Sequence, residues 1–260
     1  MTSLRRPMLV AAAIALAATV AGACNIEISN AEAKNEWKKS YPYSPGTTLE
    51  IQNTNGSVDV QPSSGATIEI VAERVAHGGT DAAAAEALKN IEIQESVAGG
   101  TVALDSTQHG AWHWGSYEVR YHVKAPRTLN LKLRGTNEEV TVADMTGTFD
   151  VHTTNGRIQA TGLAGAAIVG ATNGEVDLSF ASLADDGLSC ETTNGDVSVT
   201  LPPNVKARLN LGVTNGDIRT DHLTVEATDS SNRHLSGTIG GGGPLVRIST
   251  TNGAISVKGQ

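Results

Sequence analysis

Seven times this chain returns to one short phrase: Thr54-Asn55-Gly56, Thr136-Asn137-Glu138, Thr154-Asn155-Gly156, Thr172-Asn173-Gly174, Thr193-Asn194-Gly195, Thr214-Asn215-Gly216 and Thr251-Asn252-Gly253. From Asn137 onward the asparagines are 18, 18, 21, 21 and 37 residues apart. Self-similarity at such a period is architecture before it is chemistry. Six residues before the Asn stand Leu49, Leu131, Phe149, Ala167, Leu188, Leu209 and Val246; four before it stand Ile51, Leu133, Val151, Val169, Cys190, Leu211 and Ile248. Three after it stand Val58, Val140, Ile158, Val176, Val197, Ile218 and Ile255, and five after it Val60, Val142, Ala160, Leu178, Val199, Thr220 and Val257. Between them fall polar residues such as Asp59, Gln159, Asp177, Ser198 and Arg219. One face of each unit is therefore buried and the other is wet.

Asn-Gly between alternating segments is also a hairpin signal, since a type I′ turn needs positive φ at both central residues. Hairpins explain each unit alone, but not why successive units share length and phase. Stacked coils require both, so that each apolar rank sits on its equivalent in the next coil. The pattern predicts an all-β solenoid with coils one to two repeats long. Asn and Thr side chains at the corners can then ladder at the strand spacing of about 4.8 Å, and Gly accepts backbone that other residues resist. Glu138, in the place of a Gly, predicts a corner that is strained or shaped differently. The last gap has room for two units, one of them worn down.

The N-terminus carries Arg5 and Arg6, an apolar run from Met8 to Val20, then Ala21-Gly22-Ala23 before Cys24. Residues 1–23 read as a secretory signal peptide, too short to span a membrane. Cleavage by ordinary signal peptidase and a lipoprotein route compete, because Ala21-Gly22-Ala23-Cys24 resembles the bacterial lipobox, in which the cysteine is acylated and anchors the chain. Without Arg5 and Arg6 the net charge goes from −8 to −10. Such a surface repels nucleic acid and anionic lipid. Aromatic residues make up 3% of the chain, against 28 glycines, which suits short strands and tight corners rather than a bulky helical core. If Cys24 is acylated, Cys190 has no partner for a disulfide; its place in an inward rank makes it a small buried hydrophobe.

Residues 24–45, with prolines and no sustained period, read as a tether, and 46–260 as the domain. Within it, Thr80 is a plausible N-cap for a helix through Leu88 that ends near Asn90, with Asp81 at the positive end of the macrodipole. Ile91 to Leu104 reads as a hairpin around Gly99-Gly100, and Tyr117 to Val123 alternates as a strand. Between them, Gln108 to Gly115 gathers His109, Trp112, His113 and Trp114 in a surface loop. Trp112 and Trp114 are candidates for contact with a partner or sugar.

Candidates for chemistry are few. Stacking would bring Glu175, Asp196 and Asp217, each two residues after its Asn, into one column where a calcium ion could bridge them; a solvated polar edge is the commoner outcome. Gly240-Gly241-Gly242-Gly243 lacks the Lys-Ser/Thr of a phosphate loop, and no nucleophile elbow is present. No catalytic residue, metal site or cofactor is assigned.

The full phrase Thr192-Thr193-Asn194-Gly195-Asp196-Val197-Ser198-Val199, its second copy from Thr250 to Val257, the late stretch Gly237 to Ile248 and the helix-bearing insert near 80–90 resemble the bacterial "putative adhesin" domain family over residues 46–260. The resemblance implies a right-handed β-helix-like domain in an envelope protein of unknown function, with no catalytic residues to carry over. The expectation is an exported, non-catalytic β-solenoid of the cell envelope, either periplasmic or anchored through Cys24 to the outer or plasma membrane, that binds an envelope or surface ligand. An envelope carbohydrate-active enzyme and an envelope stress or signalling accessory are the competing classes.

Overall fold

The structure is a computed structural model and describes residues 31–109 and 116–260. The expected signal peptide over residues 1–23, Cys24, Trp112 and Trp114 lie outside the described residues. The N-terminal part comprises β1 (Ala31–Pro42), β2 (Thr48–Ser63), β3 (Thr67–Gly78), helix α1 (Asp81–Lys89), β4 (Ile91–Ala98), β5 (Thr101–Gln108) and β6 (Tyr117–Pro126). The repeats supply β7 (Asn130–Ala143), β8 (Thr146–Asn155), β9 (Ile158–Asn173), β10 (Val176–Asn194), β11 (Val197–Leu201), β12 (Ala207–Asn215) and β13 (Ile218–Asp221). Last come β14 (Val225–Ser230), β15 (His234–Ile239), β16 (Leu245–Asn252) and β17 (Ile255–Gly259).

Over the described residues the fold is an all-β solenoid with one short helix. Each coil lays the segment before its corner on one wall and the segment after it on the other. The first wall runs β4, β5, the front of β2, the front of β7, β8, the back of β9, the back of β10, β16, β12, β15 and β14. The second runs β1, β3, β6, the back of β2, the back of β7, the front of β9, the front of β10, β11, β17 and β13. Neighbouring coils pair in parallel with their ranks in phase: Leu131 beside Phe149, Phe149 beside Ala167, Ala167 beside Leu188, Leu188 beside Val246, and Val246 beside Leu209. All four inward ranks are buried except Ile218 and Thr220, which are half-buried. Both lie on β13, the edge of the second wall, where no further strand covers them.

Two expectations need correction. The coils do not stack in chain order, for β16 and β17 slot between the coil of β10 and β11 and the coil of β12 and β13. The 37-residue gap therefore holds no worn repeat; it holds the hairpin of β14 and β15, which extends the first wall beyond β12 by antiparallel pairing. Equal ranks make any two coils compatible neighbours, so periodicity alone does not order them. Second, most of the tether is strand. β1 pairs antiparallel with β3 along its whole length, Ala31 with Gly78 to Pro42 with Thr67. Only Ala31 and Tyr41 on β1 are buried, so main-chain pairing builds this edge strand and the apolar pattern never announces it.

The local signals elsewhere have plain structural counterparts. Thr80 Oγ1 accepts the Ala83 N–H at 3.2 Å to cap α1, which buries Ala84 and Ala87. β4 and β5 are joined by Gly99 and Gly100 at φ +59° and +79°, the two positive angles that a type I′ turn demands.

Candidate functional site

The seven corner asparagines form one continuous ladder along an edge of the solenoid. Asn215 Nδ2 donates to Asn252 Oδ1 at 2.9 Å, Asn252 to Asn194 at 2.7 Å, Asn194 to Asn173 at 2.8 Å, Asn173 to Asn155 at 2.9 Å, Asn155 to Asn137 at 2.8 Å and Asn137 to Asn55 at 2.7 Å. Every amide donates in the same direction. The glycines beside them are needed for close approach. A Cβ on Gly174 or Gly195 would stand 1.8 or 1.9 Å from the carbonyl oxygen of the glycine in the adjoining coil, a distance no packing tolerates. This edge is backbone and amide throughout and offers no reactive group.

Beside the ladder lies an inward rank that the sequence reading passed over. Two residues before each Asn stand Asn53, Gly135, Thr153, Ala171, Thr192, Val213 and Thr250, and Asn53, Thr153, Ala171, Thr192, Val213 and Thr250 are all buried. The period-2 alternation that buries the ranks at minus six and minus four continues to minus two, but small and polar residues hide it. In the Thr-Thr-Asn-Gly phrase the first Thr is therefore the inward one: Thr153 Oγ1 donates to the Asn155 carbonyl at 3.2 Å and Thr250 Oγ1 to the Gly195 carbonyl at 3.2 Å. In this rank Asn53 meets Glu138, the residue in the place of a glycine. Glu138 has no positive φ. It resolves its corner by folding its side chain over Gly135, where a Cβ would stand 2.3 Å from Glu138 Oε2. Its carboxyl is 1% exposed, and burial pushes its pKa up to about 8 against the lowering effect of the Asn53 hydrogen bond.

The expected acid column is broken. In spatial order Arg157 precedes Glu175 and pairs with it, while Ala254 separates Asp196 from Asp217 because the last coil intervenes. Asp196 Oδ1 accepts the Ala254 N–H at 2.7 Å. Among the described residues no group of three or more His, Cys, Asp or Glu side chains is arranged to hold a metal ion.

The outward face of the first wall carries a different kind of feature. β9 and β10 present small residues there, Ala166, Gly170 and Ser189, around Ile168, which is 55% exposed. The result is a shallow open groove of about 590 Å³, bounded by Asp150 on the β8 side and by Leu245 and Arg247 on β16. A second depression of about 500 Å³ shares Ile168 and Ser189 with it and runs on past Arg134, His152 and Glu191. The β8 rim is pre-organised. Arg134 Nη1 donates to the Asp150 carbonyl at 3.0 Å and Nη2 to its carboxylate. His152 Nε2 stands 3.0 Å from the other carboxylate oxygen, lying over Gly170, where a Cβ would meet its ring at 2.4 Å. Burial opposes ionisation of Asp150, but Arg134 and His152 outweigh it and hold the carboxyl below its usual value. Leu245 is 36% exposed on the opposite rim, and Arg247 beside it is exposed as well. The groove has an aliphatic floor and charged rims.

A solenoid of in-phase two-walled coils with a one-directional asparagine ladder defines the class of protein. Its family model, Toastrack DUF4097, a domain of unknown function, matches residues 40–258, and the chain belongs to that family. The resemblance drawn from the Thr-Asn-Gly-x-Val repeat therefore holds. Among solved structures, the chain is similar to a "putative cell adhesion protein" of Clostridium sporogenes, at 12% identity over 88% of this chain and 100% of that one, with a TM-score of 0.47. It is also similar to a "putative adhesin" of Bacteroides fragilis, at 11% identity over 88% and 98% of the two chains, with a TM-score of 0.42. No curated protein matches the chain.

Proposed function

We propose that this chain is an exported, non-catalytic binding module of the cell envelope, held at a membrane through Cys24, and that the groove over Ile168 is its ligand-contacting surface. The observation that carries the reading is that groove. Ile168, 55% exposed, and Leu245 line a concave apolar surface framed by a fixed Arg134–Asp150 pair and by Arg247, the combination of apolar floor and few placed polar groups that ligand sites use. The non-catalytic part rests on where the perturbed acid lies. The carboxyl raised furthest, Glu138, is inside the coil and out of reach of a polymer substrate, while Asp150 in the groove is held ionised. Export and anchoring rest on the leader sequence and Cys24.

The test has two arms. Ile168→Asp and Arg247→Glu, both at exposed positions, leave the melting temperature within about 2 °C of wild type and lower retention of the purified protein on envelope preparations severalfold; undiminished retention rules out the groove. Radioactive palmitate labels the wild type in cells and not Cys24→Ala, and an unlabelled wild type rules out the anchor.

A further inference from the structure

Among the buried oxygens that lack a partner beside the ladder are Asn53 Oδ1, Glu138 Oε2 and, farther along, Thr192 Oγ1, and the first two stand together. They belong to side chains already bonded to each other, since Asn53 Nδ2 donates to Glu138 Oε1 at 2.9 Å and to the Val119 carbonyl at 2.9 Å. Residue exposures are 2% and 1%, so bulk water does not reach either group. An ionised carboxylate here would be a charge in an apolar coil with one neutral donor. The unpartnered oxygens of the amide and of the carboxylate would both be acceptors, and neither could satisfy the other. One proton removes the conflict. A carboxylic acid and a primary amide form a closed pair in which the amide N–H donates to the acid carbonyl and the acid O–H donates to the amide carbonyl.

We propose that Glu138 is kept as a neutral acid whose Oε2–H donates to Asn53 Oδ1, so that a single proton clasps β7, β2 and, through Val119, β6 into one unit at the N-terminal end of the solenoid.

Beyond the Asn53 amide, no neighbouring group acts on Glu138 to favour the ionised form. From β6 comes Tyr121, whose hydroxyl is engaged with Ser106 of β5 at 2.6 Å and whose phenol burial keeps protonated. β7 itself contributes Gly135, whose missing side chain makes room for the carboxyl. β8 contributes Thr153, whose hydroxyl donates to the Asn155 carbonyl and meets Glu138 only at its main-chain carbonyl, at 3.5 Å, not at its carboxyl. The charged groups that act on Tyr121, Asp105 and Arg74, do not act on Glu138. Nor does any of the other corners need such a device, because each has a glycine where this one has Glu138. The Glu–Asn pair is thus the one place in the repeat where a titratable group replaces backbone packing.

The direction of the pH effect follows. The folded chain holds this proton up to a pH of about 8, while the unfolded chain releases it near the ordinary carboxyl value of 4.5. Folding takes up a proton between those values, so the contribution of Glu138 to stability is greatest at low pH, declines as pH rises through that window, and is level above it.

The experiment is thermal melting of the purified full chain from pH 5 to pH 9, wild type against Glu138→Gln. The glutamine variant keeps the shape of the pair, its amide N–H replacing the acid O–H. The expected result is a wild-type midpoint that falls with pH by several degrees more than that of the variant; parallel profiles overturn the proposal. Infrared spectra of the wild type at pH 7 provide a readout that does not depend on the variant's folding. A protonated-acid carbonyl band that disappears on titration above pH 9 supports the clasp. Its absence means an ionised Glu138, bridged by water or otherwise, and overturns it.

Discussion

At the scale of single residues, the chain separates inward from outward positions by period alone, and neighbouring residues therefore have opposite tolerances. Val197 is 1% exposed in the core rank between Val176 and Ile255, whereas Ser198 next to it faces out and is half-buried. Val197→Asp places a carboxylate where no partner exists and is expected to cost on the order of 4 kcal/mol, enough to prevent folding of a marginal domain. Ser198→Asp is expected to stay within about 0.5 kcal/mol of wild type. Denaturant melts check the pair, and equal stabilities would overturn the assignment of faces. Cys190 follows the same logic, since it is 1% exposed and burial pushes its thiol up to about 12, which leaves it a packing residue and not a nucleophile. These positions were legible because Val, Ile and Leu mark the ranks at minus six, minus four, plus three and plus five. The rank at minus two was not, because Asn53, Gly135, Thr153 and Thr192 are small or polar, and what buries them is the coil's cross-section and not hydropathy. Glu138 illustrates the limit. Its departure from glycine was visible in the sequence, but its partner, 85 residues earlier, was not.

At the scale of elements, strands with an apolar face and elements with caps or turn residues were legible, and strands held by main-chain pairing were not. The helix Asp81–Lys89 and the Gly99-Gly100 hairpin carry their own chemistry in the sequence. β1 carries almost none. Its alternation is broken by Lys34, Glu36, Lys38 and Lys39, all exposed charges that discourage a further strand from pairing with this edge. Yet β1 covers the edge of β3, and Tyr41 at its end donates to Glu95 Oε2 on β4 at 2.5 Å, tying the outermost strands of the two walls together. A chain truncated to begin at Ser44 loses this strand and leaves Ile68 and Ile70 on an open edge. Its thermal midpoint is expected to fall by several degrees, with earlier proteolytic cleavage within β3. A midpoint equal to that of the full chain would show that β1 is the dispensable tether its composition suggests. The groove was equally illegible from sequence. Ile168 sits between inward Ala167 and Val169 as an apolar residue at an outward position, and its meaning appears only when Ala166 and Gly170 on its own strand, and Arg247 two strands away, are seen to surround it.

At the scale of the whole molecule, the repeat specifies a coil but not a sequence of coils. Every unit presents equivalent apolar ranks and the same amide and, Glu138 apart, the same glycine, so the energetics of stacking are nearly degenerate. The order is decided by the connections: a short turn carries the chain from β10 to β11, while 23 residues, the hairpin of β14 and β15 among them, separate β13 from β16. That length lets the chain pass over its own end and return between two coils already laid down. The ladder then reads Asn194, Asn252, Asn215, with the last asparagine of the chain in the middle. Cysteine pairs in the otherwise intact protein test this directly, because a disulfide requires Cα atoms within about 7 Å and parallel coils stand about 4.8 Å apart. Asn194→Cys combined with Asn252→Cys is expected to cross-link under mild oxidation, and so is Asn252→Cys with Asn215→Cys. Asn194→Cys with Asn215→Cys spans two coils and is expected to stay reduced, and Cys190 does not compete because it is buried. Stacking in chain order makes the opposite prediction for the last pair, for there Asn194 and Asn215 would be immediate neighbours and Asn252 would stand at the far end. A readily formed cross-link between positions 194 and 215, with none between 194 and 252, would overturn the inserted order and, with it, the separation of Asp196 from Asp217.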